Sequence, residues 1–195
     1  MKILRNILAI FGLVVIVAIA VAYPKVHSVV SRFSEFDDKA WESYKTLAER
    51  IIETGNAAEA TVWKVKVQEG VSVEDVEQSM LLVANEHNIK NVGELPLSKQ
   101  VAAMKGKDYR FVKIYMFCNA LTAAQMLEYN DAYSAYLPCR VTLLEDKNKQ
   151  LWIYSLNMDL MIHGGTPLPP ELKKEALQVK TIIQDIMNRG AAGDF

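Results

Sequence analysis

The chain is poor in the residues that most often announce chemistry. It holds two cysteines and three histidines in 195 residues. No Cys-x-x-Cys pair occurs, which removes the usual thioredoxin and c-type haem signatures. Gly-x-Ser-x-Gly, His-Glu-x-x-His, a phosphate-binding Gly-rich loop and a dinucleotide fingerprint are all missing, so no standard catalytic template is present. Nor is there a surplus of charge: 22 basic against 23 acidic residues give a formal net charge of −1. Without a basic excess the chain has little with which to neutralise phosphates, and nucleic acid is disfavoured as its main partner. Internal repeats and low-complexity tracts are also lacking. What it has in quantity is apolar side chains, 51% against 23% charged, too many for a disordered polypeptide and enough for a packed core. At this length, one ordinary domain plus a short appendage is expected.

The appendage is at the N-terminus. Residues 7–23, ILAIFGLVVIVAIAVAY, carry no charge and are flanked by Lys2 and Arg5 before and by Pro24 and Lys25 after. As a helix this run is about 26 Å long, slightly short of a ~30 Å hydrocarbon core, and Ile3, Leu4 and a snorkelling Arg5 extend it. Ile7, Phe11, Leu13 and Val17 would face lipid, and Tyr23 stands where an interfacial aromatic belongs. Ala20-Val21-Ala22 also has the small-x-small pattern of a signal-peptidase site, so a retained anchor and a cleaved signal are both open; the length of the run favours the anchor. Either fate exports the body. The basic tail puts the N-terminus in the cytoplasm and the rest outside the inner membrane, with Lys25 and Arg32 weakening that bias. The expected division is an anchor over 1–24, a connecting helix within 25–57 and a folded domain over 58–195.

Along the body, Phe33, Phe36, Ala40, Tyr44, Leu47 and Ile51 step by three or four, which predicts one helix to about Glu53. Ser34-Glu35-Phe36-Asp37 has capping-box spacing at its start, and Gly55 ends it. The alternation TVWKVKV over 61–67 predicts a half-buried strand. Ser72-Val73-Glu74-Asp75 repeats the capping spacing before a helix over about 73–87. A weaker extended segment over 88–97 and a short helix over 98–104 follow. Arg110–Cys118 is the clearest strand, Leu121–Tyr129 a helix, and Cys139–Leu144 with Leu151–Tyr154 a hairpin turning at 145–149. After the loop 164–170, Leu172, Ala176, Val179, Ile183 and Ile186 form the seam of a last helix, stopping at Asn188-Arg189-Gly190.

Tyr136-Leu137-Pro138-Cys139-Arg140-Val141, then Glu145-Asp146 and Trp152-Ile153-Tyr154, resembles the Domain of Unknown Function 302 family, in which a Leu-Pro segment leads into a strand, an acidic turn and a second strand carrying Tyr. Phe117-Cys118-Asn119-Ala120 is similar to the family's Phe-Gly-Asn-Pro element at two of four positions. Its Asp-His-Asn-Ala element has no counterpart between Asn91 and Val101. The resemblance covers about two-thirds of the chain. It implies an α+β fold, with a curved antiparallel sheet backed by helices, in a family whose biochemical role is not settled; the missing His argues against a function built on that residue.

Cys118 and Cys139 are open to three readings: separate buried thiols, a disulfide in an oxidising compartment, or metal or redox chemistry. Met158, Met161 and His163 lie close in sequence, and together with the cysteines they are the donors that copper or haem iron accepts. Met158 and Met161 also suit ordinary core packing. Trp41, Tyr44, Tyr129, Tyr133 and Tyr136 are the candidate contacts with a partner, packing being the plain alternative. No cofactor is implied. The leading expectation is a single-pass anchored protein displaying its domain outside the cytoplasmic membrane and acting as an accessory subunit to integral membrane proteins. A periplasmic metal or redox domain and a small-molecule carrier or enzyme are the alternatives, the last requiring an apolar cavity between sheet and helices.

Overall fold

The computed structural model describes residues 2–194, excepting the side chains of residues 2–5, 7 and 8; Ile7 is thus placed by its backbone alone. Helix α1 (Lys2–Phe33) runs without a break through Pro24. The stretch Ala9–Phe33 is long and apolar enough to cross a membrane, with mean hydropathy 2.3, and none of its most apolar window is buried. Phe11, Leu13, Val17 and Tyr23 are each more than half exposed. Among the described residues that window is left uncovered, which is what a lipid-facing segment requires.

The helix read from the Phe33–Ile51 stripe forms only from Ala40 onward, and Phe33 belongs to α1. Residues 34–39 bend, and α2 (Ala40–Thr54) starts afresh before ending at a left-handed Gly55. Ser34 and Asp37 make no capping box. The Ser34 hydroxyl turns back to the Ser31 carbonyl at 2.6 Å, and Asp37 is used elsewhere. Asp37 instead closes the turn before α2, its carbonyl accepting from Ala40 N–H at 2.8 Å and its carboxylate from Lys39 N–H at 3.0 Å. A short α3 (Ala57–Ala60), capped by Asn56, leads into the sheet.

Five antiparallel strands follow the order β1-β5-β4-β3-β2, with β1 Val62–Lys66, β2 Lys90–Leu95, β3 Val112–Cys118, β4 Cys139–Glu145 and β5 Leu151–Leu156. Between them lie α4 (Val73–Glu86), α5 (Leu97–Lys105), α6 (Ala120–Tyr129), a 3-10 segment (Asp131–Tyr136) and α7 (Asp159–His163), and α8 (Pro170–Ala192) closes the chain. This is the α+β architecture with a helix-backed antiparallel sheet. Register puts Tyr115 opposite Val141, and Leu143 opposite Ile153, on one face. Those side chains are fully buried beneath Val76, Met80 and Val83 of α4 and Ile183, Ile186 and Met187 of α8. Each large apolar side chain so buried contributes about 1.5–3 kcal/mol.

The last helix outruns its expected stop. Gly190 lies inside α8, and the left-handed cap falls at Gly193. Gly190 is there for proximity, since a Cβ on it would lie 2.6 Å from Met80 Cγ and 3.4 Å from Ile153 Cδ1. Its missing side chain is what lets α8 settle against α4 and the sheet.

Candidate functional site

Two constellations stand out, one polar and one rich in sulfur. The polar one fastens the segment after α1 to the domain. The Asp37 side chain is wholly buried. One carboxylate oxygen accepts from His163 Nδ1 at 2.9 Å, and the other from Lys173 Nζ at 2.5 Å. A carboxylate with these donors is ionised and acceptor-only, which puts the imidazole proton on Nδ1. The Asp37 backbone N–H donates to the Gly165 carbonyl at 2.8 Å, and the Tyr44 hydroxyl to that of Gly164 at 2.6 Å. Burial pushes the Asp37 carboxyl up, but its hydrogen bonds, that from Lys173 foremost, outweigh it and hold the group well below the usual carboxylate range. α7 presents His163, and the first turn of α8 presents Lys173.

His163, read as a candidate metal ligand, is therefore a clasp residue. It lines a cleft of about 310 Å³ between α2 and the domain, together with Ser43, Thr46 and the Lys180–Asp159 ion pair. Among the described residues no Ser, Thr or Cys hydrogen-bonds to its Nε2, so no catalytic relay is assembled around it.

The second constellation lies at the end of the sheet where β3 stops and β4 starts. Phe117 pairs with Cys139, so Cys118 is the next residue along the neighbouring strand, and both cysteines line one cavity. They are free thiols. Met158 and Met161 line it too, as does Met126 of α6, which the sequence reading passed over. Tyr133 and Tyr136 complete the wall, with Tyr133 Oη donating to the Met161 carbonyl at 3.3 Å. The cavity is open to solvent on one side and about 60 Å³ in volume. That is far below the ~300–1,000 Å³ of a typical organic-ligand pocket. Burial raises the Cys118 thiol, and burial together with the neighbouring Cys118 pushes Cys139 up to about 11. Both are protonated near neutrality and poor nucleophiles.

The structure thus gathers Cys118, Cys139, Met158 and Met161 and leaves His163 out. Among the described residues no group of three or more His, Cys, Asp and Glu side chains is arranged to hold a metal. Of the candidate contacts, Trp41 is 67% exposed and meets Phe33 edge-on at 6.2 Å, while Tyr44 is tied to Gly164. Tyr129, Tyr133 and Tyr136 form an aromatic run with centroids 6.1 and 6.4 Å apart, Tyr129 and Tyr136 being exposed. Asp37, Lys173 and Met126 were missed. No local spacing links Asp37 to a lysine 136 positions away, and Met126 reads as any other apolar helix residue.

Comparison with known proteins agrees with this fold. No curated protein matches the chain. A crystal structure of a conserved DUF302 protein from Bacillus stearothermophilus is similar, with a TM-score of 0.52 at 18% identity, over 66% of this chain and 97% of that one. The model of the family described as Domain of unknown function DUF302 matches residues 63–190. With that match and a helix-backed five-stranded sheet in place, the chain belongs to the DUF302 family.

Proposed function

We propose that the chain is a membrane-tethered binding protein, an accessory subunit to integral membrane proteins. In this reading α1 spans the cytoplasmic membrane with Lys2 and Arg5 inside, and the DUF302 domain stands on the periplasmic or extracellular side. The observation that carries it is the Asp37 clasp. Mere retention at a membrane needs only a flexible linker, whereas a buried carboxylate bound to both His163 and Lys173 fixes how the segment after α1 meets the domain. A fixed mount has a use when the domain must meet a partner held in the same bilayer, because most of the orientational cost of docking is met in advance. Trp41 at 67% exposure and Ile52 at 84% give α2 the apolar surface such a contact would use.

The test is site-specific photocrosslinking in native membranes followed by purification in mild detergent. A crosslinker at Trp41 or Ile52 is expected to give one discrete adduct with an integral membrane protein, and one at the exposed Lys66 of β1 none. Asp37→Ala with a Gly-Ser spacer at 34–36 should weaken the adduct while leaving the chain in the membrane. A lone monomer with no adduct from α2 would end the accessory reading.

A further inference from the structure

We infer that the cleft between α2 and the domain is a binding site for a small uncharged organic molecule, and that His163 Nε2 accepts a hydrogen bond from a hydroxyl group of that molecule. The His163 side chain is only 4% exposed, and its Nδ1 is spent on Asp37. Nε2 has no hydrogen-bond partner among the described residues. Yet none of their side-chain nitrogens and oxygens is both sealed from solvent and unpartnered. Nε2 therefore opens outward, and the space that His163 lines is this cleft. The clasp holds the ring still, so the cleft is offered one hydrogen-bonding atom in a fixed position.

The clasp also sets the direction of the bond. Asp37 accepts from Nδ1, and Lys173 balances its charge. In the neutral imidazole the proton is thus on Nδ1 and Nε2 offers a lone pair, so the ligand must bring the donor. The charges of the wall narrow the class. Lys180 is paired with Asp159, and α2 supplies both Lys39 at its cap and Glu42 in its first turn. Two cations stand with two anions, which leaves no net charge to hold an ion. Among the described residues no group of three or more His, Cys, Asp and Glu is arranged to hold a metal either. A hydroxyl meets the requirement with one small group, whereas an amide would add a carbonyl that needs a donor of its own.

Size and lining set the rest of the molecule. A space of about 310 Å³ is at the lower end of the ~300–1,000 Å³ of organic-ligand pockets. Leu47 of α2 and Leu160, Met161 and Leu177 of the domain line it, so the remainder of the occupant is compact and apolar. Because α2 forms one wall and the domain the other, a molecule in the cleft touches both and braces the mount. The site stands whether or not a membrane partner is found, since it rests on the inner side of α2 and not on Trp41 or Ile52.

Phenol, a flat apolar ring with one strong hydroxyl donor, is the probe. Anisole keeps the ring without the O–H, and benzoate adds a charge. The full chain is purified in detergent with ¹⁵N-labelled histidine at about pH 8, where a phenol is neutral. Its three histidines give a simple nuclear magnetic resonance spectrum. His27 on α1 reports ligand dissolved in the micelle, and His87, bound to Asp185, reports the fold. Phenol is expected to move the His163 Nε2 resonance upfield in a saturable way while His87 stays in place. Anisole should compete roughly fivefold more weakly, the factor that one net hydrogen bond represents. Leu47→Trp, which fills the cleft from α2, should abolish the saturable response with His87 unchanged. No saturable shift in the wild type would mean that the cleft takes only water, and would overturn the site. A response that survives Leu47→Trp would place phenol elsewhere and overturn it too. Anisole competing equally, or benzoate competing more strongly than phenol, would overturn the assignment of an uncharged hydroxyl ligand.

Discussion

Asp37 exchanges its hydration shell for donors from Lys39, His163 and Lys173, and replacing it strands an imidazole and an ammonium that were arranged around it. Asp37→Ala should therefore cost about 3–5 kcal/mol, read by denaturant unfolding. Its pH dependence has a definite sign. The folded carboxyl titrates below its ordinary value, so its contribution is complete above that value and fades as pH falls toward the folded pKa. The stability gap between wild type and Asp37→Asn is expected to be flat from about pH 5 to 8 and to close below about 4. Gly190 makes the opposite kind of demand, for absence of bulk. Gly190→Ala pushes a methyl into Met80 and Ile153 and should cost about 1–3 kcal/mol despite the better helix propensity of alanine; a rise in the denaturation midpoint would contradict the close approach. The raised Cys139 thiol predicts alkylation that is slow at pH 7 and accelerates steeply toward about 11, followed by peptide mapping.

Two stretches with the same local signal show how far element-level reading reaches. Ser72 and Asp75 form the reciprocal box their spacing announces, with Ser72 N–H reaching Asp75 at 3.0 Å and Asp75 N–H reaching Ser72 Oγ at 3.1 Å. Ser34 and Asp37 have identical spacing and form none, because partners 126 and 136 positions away claim the carboxylate. Ser72→Ala should thus lose about 1 kcal/mol and Ser34→Ala almost nothing, a contrast that thermal unfolding resolves. Elements whose fate is set locally were legible: the 73–86 helix from its box and apolar period, the 139–156 hairpin from alternation and an acidic turn, the α8 seam from its steps of three and four. The bend at 34–39 and the true end of α8 were not, since long-range contacts decide both. The site divides in the same way. Cys118 and Cys139 were flagged as a pair by rarity, but their meeting with Met126 depends on how α6 folds back over the sheet end.

At the scale of the whole molecule, a bare apolar helix is joined to a domain that does not need it. None of the most apolar window of α1 is buried. A chain lacking residues 1–30 is therefore expected to be recovered in water with a melting temperature within a degree or two of the intact chain in detergent, as loss of uncovered surface removes no packing. A drop of several degrees would mean that α1 supports the body after all. The strand order adds a last consequence. β1 and β2 form the two rims of the sheet. The first alternates Lys64 and Lys66 outward, and the second carries Lys90 and a bulge between Asn91 and Gly93. Copies gathered on one bilayer would collide far more often than copies free in three dimensions. A cationic β1 and a bulged β2 would keep such neighbours from zippering into a shared fibre.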